Sequence, residues 1–99
     1  MKLSDLFSLK GKKAVVTGGG RGIGKFIATG LAEAGADIIV ASRKLETLTK
    51  TAEEISGLGV RCLPVKCDMG SPEEIRSLVE TAKKEFGAID ILVNNAGVT

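Results

Sequence analysis

Residues 15–24 read Val-Val-Thr-Gly-Gly-Gly-Arg-Gly-Ile-Gly, five glycines crowded just behind a short apolar run, Ala14–Val16. The glycines open into a segment that carries Ile23, Ile27 and Leu31 at i, i+4 and i+8, the spacing of an amphipathic helix. Strand, tight turn and helix N-terminus in this order make a phosphate-binding arrangement. Glycine lets the backbone approach the ligand, while the first helical N–H groups and the helix dipole face its negative charge. The chemistry indicated is capture of a nucleotide cofactor.

Two phosphate motifs compete for this turn. Gly19-x4-Gly24-Lys25 satisfies most of an NTPase P-loop, but Phe26 stands where a Ser or Thr must ligand magnesium. No later strand ends in an acidic residue of the metal-holding form. The G-x-G-x-x-G dinucleotide pattern is not met literally either, because the glycines fall as Gly18-x3-Gly22-x-Gly24.

The residues after the second apolar run bear on which dinucleotide would bind. NAD-selective sites place a carboxylate there, about 20 residues past the glycines, on the ribose 2′-hydroxyl. This chain has Ser42, Arg43 and Lys44 instead. A carboxylate would repel a 2′-phosphate, whereas a hydroxyl with a guanidinium binds it, and Arg43 can also stack on adenine. Arg21 in the glycine turn is a second phosphate partner. The plainer reading is that Arg43 and Lys44 are solvated first-turn residues of the next helix, yet cations are unfavourable at a helix N-terminus. NADP is expected in preference to NAD.

Alternating elements must position these residues. Strands are expected at about Ala14–Thr17, Asp37–Ala41, Val60–Lys66 and Ile89–Val93, and helices at about Gly22–Ala34 and Lys44–Ser56, with a third closed by Gly87. The third helix has an explicit start: Ser71 as N-cap, Pro72 at N1 and Glu74 completing a capping box, ahead of an apolar stripe of Ile75, Leu78, Val79, Ala82 and Phe86. Pro64 cannot donate to a ladder, so strand three belongs at an edge. The order βαβαβαβ calls for a doubly wound parallel α/β sheet, strand order 3-2-1-4, with a ligand site where the order reverses between strands one and four.

Composition narrows the class further. Ninety-nine residues, 43% hydrophobic and 26% charged, suit one small globular domain, 1–99. A net charge of +2 does not point to nucleic acid or an anionic membrane. The N-terminal residues never run more than two apolar residues together, unlike a signal peptide, and nothing nears the roughly 18 of a membrane span, so a cytoplasmic location is expected. Without histidine or a CxxC motif a zinc site has no support. Cys62 and Cys67 are expected as buried thiols on opposite faces, too badly placed for a disulfide.

Thr17-Gly18-x3-Gly22-Ile23-Gly24, paired with Asn94-Asn95-Ala96-Gly97 and with Asp68 just past strand three, resembles the short-chain dehydrogenase/reductase family. The resemblance spans essentially the whole chain but only the N-terminal portion of a family member. The lead-in Phe7-Ser8-Leu9-x-Gly11-Lys12 is similar to that of sugar-acid and polyol dehydrogenases such as gluconate 5-dehydrogenase and, more loosely, of 3-oxoacyl-carrier-protein reductases. The resemblance implies a Rossmann-type fold and an NAD(P)-dependent carbonyl/alcohol interconversion. It implies cofactor contacts from Gly18, Gly20, Arg21, Gly22, Ile23 and Gly24 in the turn. Ser42 and Arg43 fall at the 2′ position. Asp68 matches the acceptor of the adenine amino group, with Met69 giving backbone contact. Asn95, Ala96 and Gly97 match the backbone beside the riboses, while Thr17 and Asn94 brace the central strands.

The resemblance also implies catalysis by a serine and a Tyr-x3-Lys pair beyond the Asn-Asn-Ala-Gly turn. The 99 residues contain no tyrosine, so no catalytic residue is assigned among them. The expectation is the cofactor-binding part of a dehydrogenase, truncated after strand four and inactive alone. With Ile91, Leu92 and Val93 on an open sheet edge, it is expected to self-associate. A non-catalytic dinucleotide-binding module and an unfolded remnant are the alternatives.

Overall fold

Uninterrupted apolar runs such as Ile38–Ala41 need cover on both faces, and the chain supplies it by following each of its first three strands with a helix. The computed structural model describes residues 8–18, 20 and 22–95. Its elements are β1 (Lys13–Thr17), α1 (Gly22–Glu33), β2 (Asp37–Ser42), α2 (Leu45–Ser56), β3 (Cys62–Lys66), α3 (Pro72–Phe86) and β4 (Ile91–Asn94). The strands form one parallel sheet in the order β3-β2-β1-β4. Pro64 sits on the edge strand β3, opposite Val40.

Successive strand residues point to opposite faces, which separates two cores. On one face Ala14, Val16, Ile38, Val40 and Cys62 meet Ala28 and Ala32 of α1 and Leu48, Ala52 and Ile55 of α2. On the other, Val15, Ile39, Ala41 and Cys67 meet Leu78 and Ala82 of α3, with Ile75 and Phe86 partly buried beside them. The chain steps outward from β1 to β3 and then crosses back to β4. Right-handed crossovers therefore put α1 and α2 on one side and α3 on the other. The two thiols fall in different layers, and burial pushes that of Cys62 up to about 12.

Several local expectations change. In α1 the buried stripe is Gly24, Ala28 and Ala32, not Ile23, Ile27 and Leu31. Ile23 is 63% exposed, and Leu31 packs only at the margin of the core. Small residues face the sheet because α1 lies too close to it for larger ones. The capping box at α3 is half formed. Ser71 Oγ accepts the Glu74 N–H at 3.3 Å, but the Glu74 carboxylate reaches back past Ser71 to the Asp68 N–H at 3.2 Å. β3 begins at Cys62 and β4 at Ile91, each two residues later than expected. At β4 the delay follows from Asp90, whose carboxylate accepts the Lys13 N–H at 2.8 Å while its own N–H donates to the Lys13 carbonyl.

A polar clasp closes the amino ends of the strands. Asp37 accepts from Lys13 Nζ at 2.5 Å and from the Arg61 N–H at 2.9 Å, joining β1, β2 and the approach to β3. Lys13 and Arg61 both stand over the Phe86 ring, at 5.5 and 5.0 Å, and Arg61 also donates to the Glu85 carbonyl. The Lys13 ammonium, helped by the Arg61 N–H, holds the Asp37 carboxyl below its ordinary 3.8 against the opposing effect of burial. A carboxyl lowered in the folded state adds stability above its unfolded value and loses it as pH falls through the folded one. Wild-type melting temperature is thus expected to fall on acidification at and below pH 3.8. Asp37→Asn, melted across the same range, is expected to start lower and to fall less; identical slopes in the two proteins would refute the role given to this carboxylate.

Candidate functional site

Parallel strands bring all their carboxyl ends to one edge of the sheet, and the loops diverge where strand order reverses. Here the reversal lies between β1 and β4, with Thr17 paired to Asn94 on one side and Ala41 on the other. Thr17 is fully buried, and its hydroxyl bridges the strand ends. It lies 3.0 Å from Asn94 Oδ1, to which it donates, with the Val93 carbonyl at 3.3 Å, and it accepts the Asn95 N–H at 3.0 Å. The Gly18 N–H continues the β1 ladder to the Ala41 carbonyl at 2.6 Å. Both turns are thereby tied to the same point.

The glycine turn is held from below by its own helix. A Cβ built on Gly24 would lie 2.0 Å from the Gly18 carbonyl oxygen and 2.9 Å from Asn95 Nδ2. No side chain fits there, so Gly24 is required by close approach. Gly22 is required for the opposite reason: its φ is +62°, yet a Cβ on it would meet no described residue within 4 Å. The backbone at Gly22 is thus left-handed, with no described residue against it. The first turn of α1 has no acidic side chain. Its N-terminal donors therefore meet no carboxylate from their own turn, unlike those of α3 with Glu73 and Glu74. Gly20 is buried, and its carbonyl accepts from the buried Thr51 hydroxyl of α2 at 2.7 Å. Arg21, Ala96 and Gly97 lie outside the described residues.

The remaining candidates ring the same edge. Ser42 ends β2, and its Oγ accepts the Lys44 N–H at 3.3 Å. Arg43 follows, exposed, just ahead of α2. Asp68 closes the turn into α3, its Oδ1 accepting the Gly70 N–H at 2.8 Å and its carbonyl the Ser71 N–H. Met69 lies against Cys67, with the two sulfurs 3.7 Å apart. Burial, with the Glu74 and Asp68 charges, raises the Cys67 thiol, so this sulfur stays protonated. Among the described residues no group of His, Cys, Asp or Glu could hold a metal ion, and no helix is long and apolar enough to cross a membrane.

Two residues at the site escape a reading of the sequence by motif. Asn95 was expected to act through its backbone, but its side-chain amide also packs against the Gly18–Gly24 contact. Thr51 was not singled out. The available signal was a hydroxyl on the buried stripe of α2, beside Leu48, Ala52 and Ile55.

Comparison with known proteins gives this geometry a context. The family model described as short chain dehydrogenase matches residues 12–99. The 2-dehydro-3-deoxy-D-gluconate 5-dehydrogenase of Pseudoalteromonas atlantica is 49% identical over 94 residues, 94% of this chain and 37% of that one. The crystal structure of L-sorbose reductase from Gluconobacter frateurii, complexed with NADPH and L-sorbose, is 42% identical, with a TM-score of 0.89 over 93% of this chain and 35% of that one. A 7 alpha-hydroxysteroid dehydrogenase complexed with NADH and 7-oxo glycochenodeoxycholic acid is 39% identical, with the same TM-score of 0.89, over 95% and 37%. The chain spans about a third of the length of the curated relatives it matches. The fold, a Rossmann-type parallel sheet, is matched over nearly all of these residues by those structures, and the chain belongs to the short-chain dehydrogenase/reductase family.

Proposed function

We propose that residues 1–99 form the NADP-binding domain of an oxidoreductase that interconverts a carbonyl and an alcohol. The observation that carries this reading is the convergence at one sheet edge of a left-handed Gly22 with no described residue against it, a first turn of α1 without an acidic side chain, the half-buried Ser42 and the exposed Arg43. These residues fit a dinucleotide. The pyrophosphate would lie over Gly18–Gly24, with Arg21 and Ile23 beside it. Ser42 and Arg43 would hold the 2′-phosphate, and the Asp68 carboxylate would accept from the adenine amino group, with Met69 alongside. Asn95, Ala96 and Gly97 would flank the riboses, and Thr17 and Asn94 would keep the two turns in register. When bound, the nicotinamide supplies the hydride donor or acceptor; these residues bind and orient it.

The 99 residues contain no tyrosine to donate a proton, so we assign them the cofactor half of the reaction and no turnover by themselves. The relatives' names, among them a 2-dehydro-3-deoxy-D-gluconate 5-dehydrogenase, support a hydroxyl/keto substrate such as a sugar acid; a 3-oxoacyl substrate rests on the sequence resemblance alone. A cytoplasmic location is part of the same proposal.

Wild-type chain titrated calorimetrically is expected to bind NADP more tightly than NAD. Arg43→Ala is expected to weaken NADP by about tenfold to a hundredfold, since charge-assisted hydrogen bonds contribute about 1.5–3 kcal/mol, and to leave NAD nearly unchanged. Equal affinities for the two nucleotides, unaltered in Arg43→Ala, would defeat the assignment of NADP.

Self-association is expected of the isolated chain. Among the described residues β4 pairs only with β1, and Leu92 on that strand is 67% exposed. An apolar strand with an open ladder is a template for another strand. Light scattering is expected to give a mass above one chain for the wild type and nearer one chain for Leu92→Asp. A monomeric wild type would remove this part of the proposal.

A further inference from the structure

A buried hydroxyl on α2 is the part of the molecule that neither the motif nor the cofactor ring accounts for. Thr51 is 2% exposed and lies on the stripe that packs Leu48, Ala52 and Ile55 against the sheet. Its Oγ1 donates to the Gly20 carbonyl at 2.7 Å, across 31 residues of sequence, within the glycine turn itself. The approach to α2 is close: a Cβ built on Gly20 would lie 3.3 Å from Thr47 Cγ2 and 3.4 Å from Leu48 Cδ2. The turn thus rests on the middle of α2 at a spot where a core position carries a hydroxyl in place of an isosteric valine.

We infer that Thr51 is a positioning residue for the pyrophosphate, its hydroxyl fixing the glycine turn in the shape that binds phosphate. A hydrogen bond to the Gly20 carbonyl fixes the backbone there, and with it the course of the turn to which Gly20 belongs. Donors already oriented need no reordering when the anion arrives, which strengthens binding without a new contact. The same helix begins beside Ser42 and Arg43. α2 therefore sets the distance between the two phosphate-binding points, one at its start and one on its flank.

This inference rests on the proposed NADP site, and the test separates the two. The whole chain is titrated with NADP and with adenosine 2′-phosphate, which has the 2′-phosphate but no pyrophosphate. Thr51→Val is expected to weaken NADP by about tenfold, the equivalent of one hydrogen bond of about 1.4 kcal/mol, and to leave adenosine 2′-phosphate unchanged. Thr51→Ser, which keeps the hydroxyl, is expected to retain wild-type NADP affinity. Ile55→Val, a core truncation on the same helix, controls for stability: its melting temperature falls, but neither ligand weakens. Should Thr51→Val not fold, Thr51→Ala takes its place in the same comparison. NADP bound equally by the wild type and the hydroxyl-free variant would overturn the inference alone, as would parallel weakening of both ligands. No NADP binding by the wild type would overturn the proposed function and this inference with it.

Discussion

The start of α1 lies so close to Gly18 that position 24 must be glycine. With room for no atom beyond hydrogen at Gly24, the helix backbone lies directly on the Gly18 carbonyl. That contact fixes how near α1 lies to the sheet, and so why Ala28 and Ala32, not larger residues, continue the buried stripe. It also turns Ile23 and Phe26 outward, at 63% and 80% exposure. The same closeness brings the Asn95 amide over the turn and places the Thr17 hydroxyl between β1 and β4. A larger residue at position 24 would lift the helix, and the donors at its N-terminus would move away from the switch point with it.

The two ends of the sheet divide the work between them. At the amino ends, Asp37 gathers Lys13 and the Arg61 N–H, and Phe86 lies under both cations, so charge there is neutralised within the protein. At the carboxyl ends the cation Arg43 is exposed and enters no ion pair among the described residues. Fixed dipoles and an unneutralised cation on one edge favour an anionic ligand there. Stability is concentrated where no ligand is expected, and backbone unusual enough to need glycine is concentrated where one is.

Much of this was legible in the residues. The strand order followed from three particulars: the doubly apolar run of β2, Pro64 at an edge and the reversal that a parallel crossover rule then demands. Ser71 and Pro72 marked the start of α3 to the residue. Periodicity misled at α1, because it ranks positions by apolar size whereas close packing selected the smallest side chains. Glu74 departed from the capping box because the Asp68 N–H, six residues back, was also within its reach. Thr51 is the instructive case. On a helix wheel it is one polar residue in a core stripe, and only the long-range contact with Gly20 shows what its hydroxyl meets. Local spacing finds motifs; it does not reveal which distant element supports them.

The central claim is that a dinucleotide occupies the carboxyl edge of this sheet at the β1/β4 switch point. Backbone amide resonances of the isotopically labelled chain, followed during titration with NADP, test it most directly. The account predicts that shifts cluster at Gly18, Gly20, Gly22–Gly24, Ser42–Lys44, Asp68–Met69 and Asn95. Asp37, Arg61 and Asp90, at the other end of the strands, stay where they are. Shifts centred on the Asp37 clasp, or no shift at the glycine turn with the ligand in excess, would contradict it.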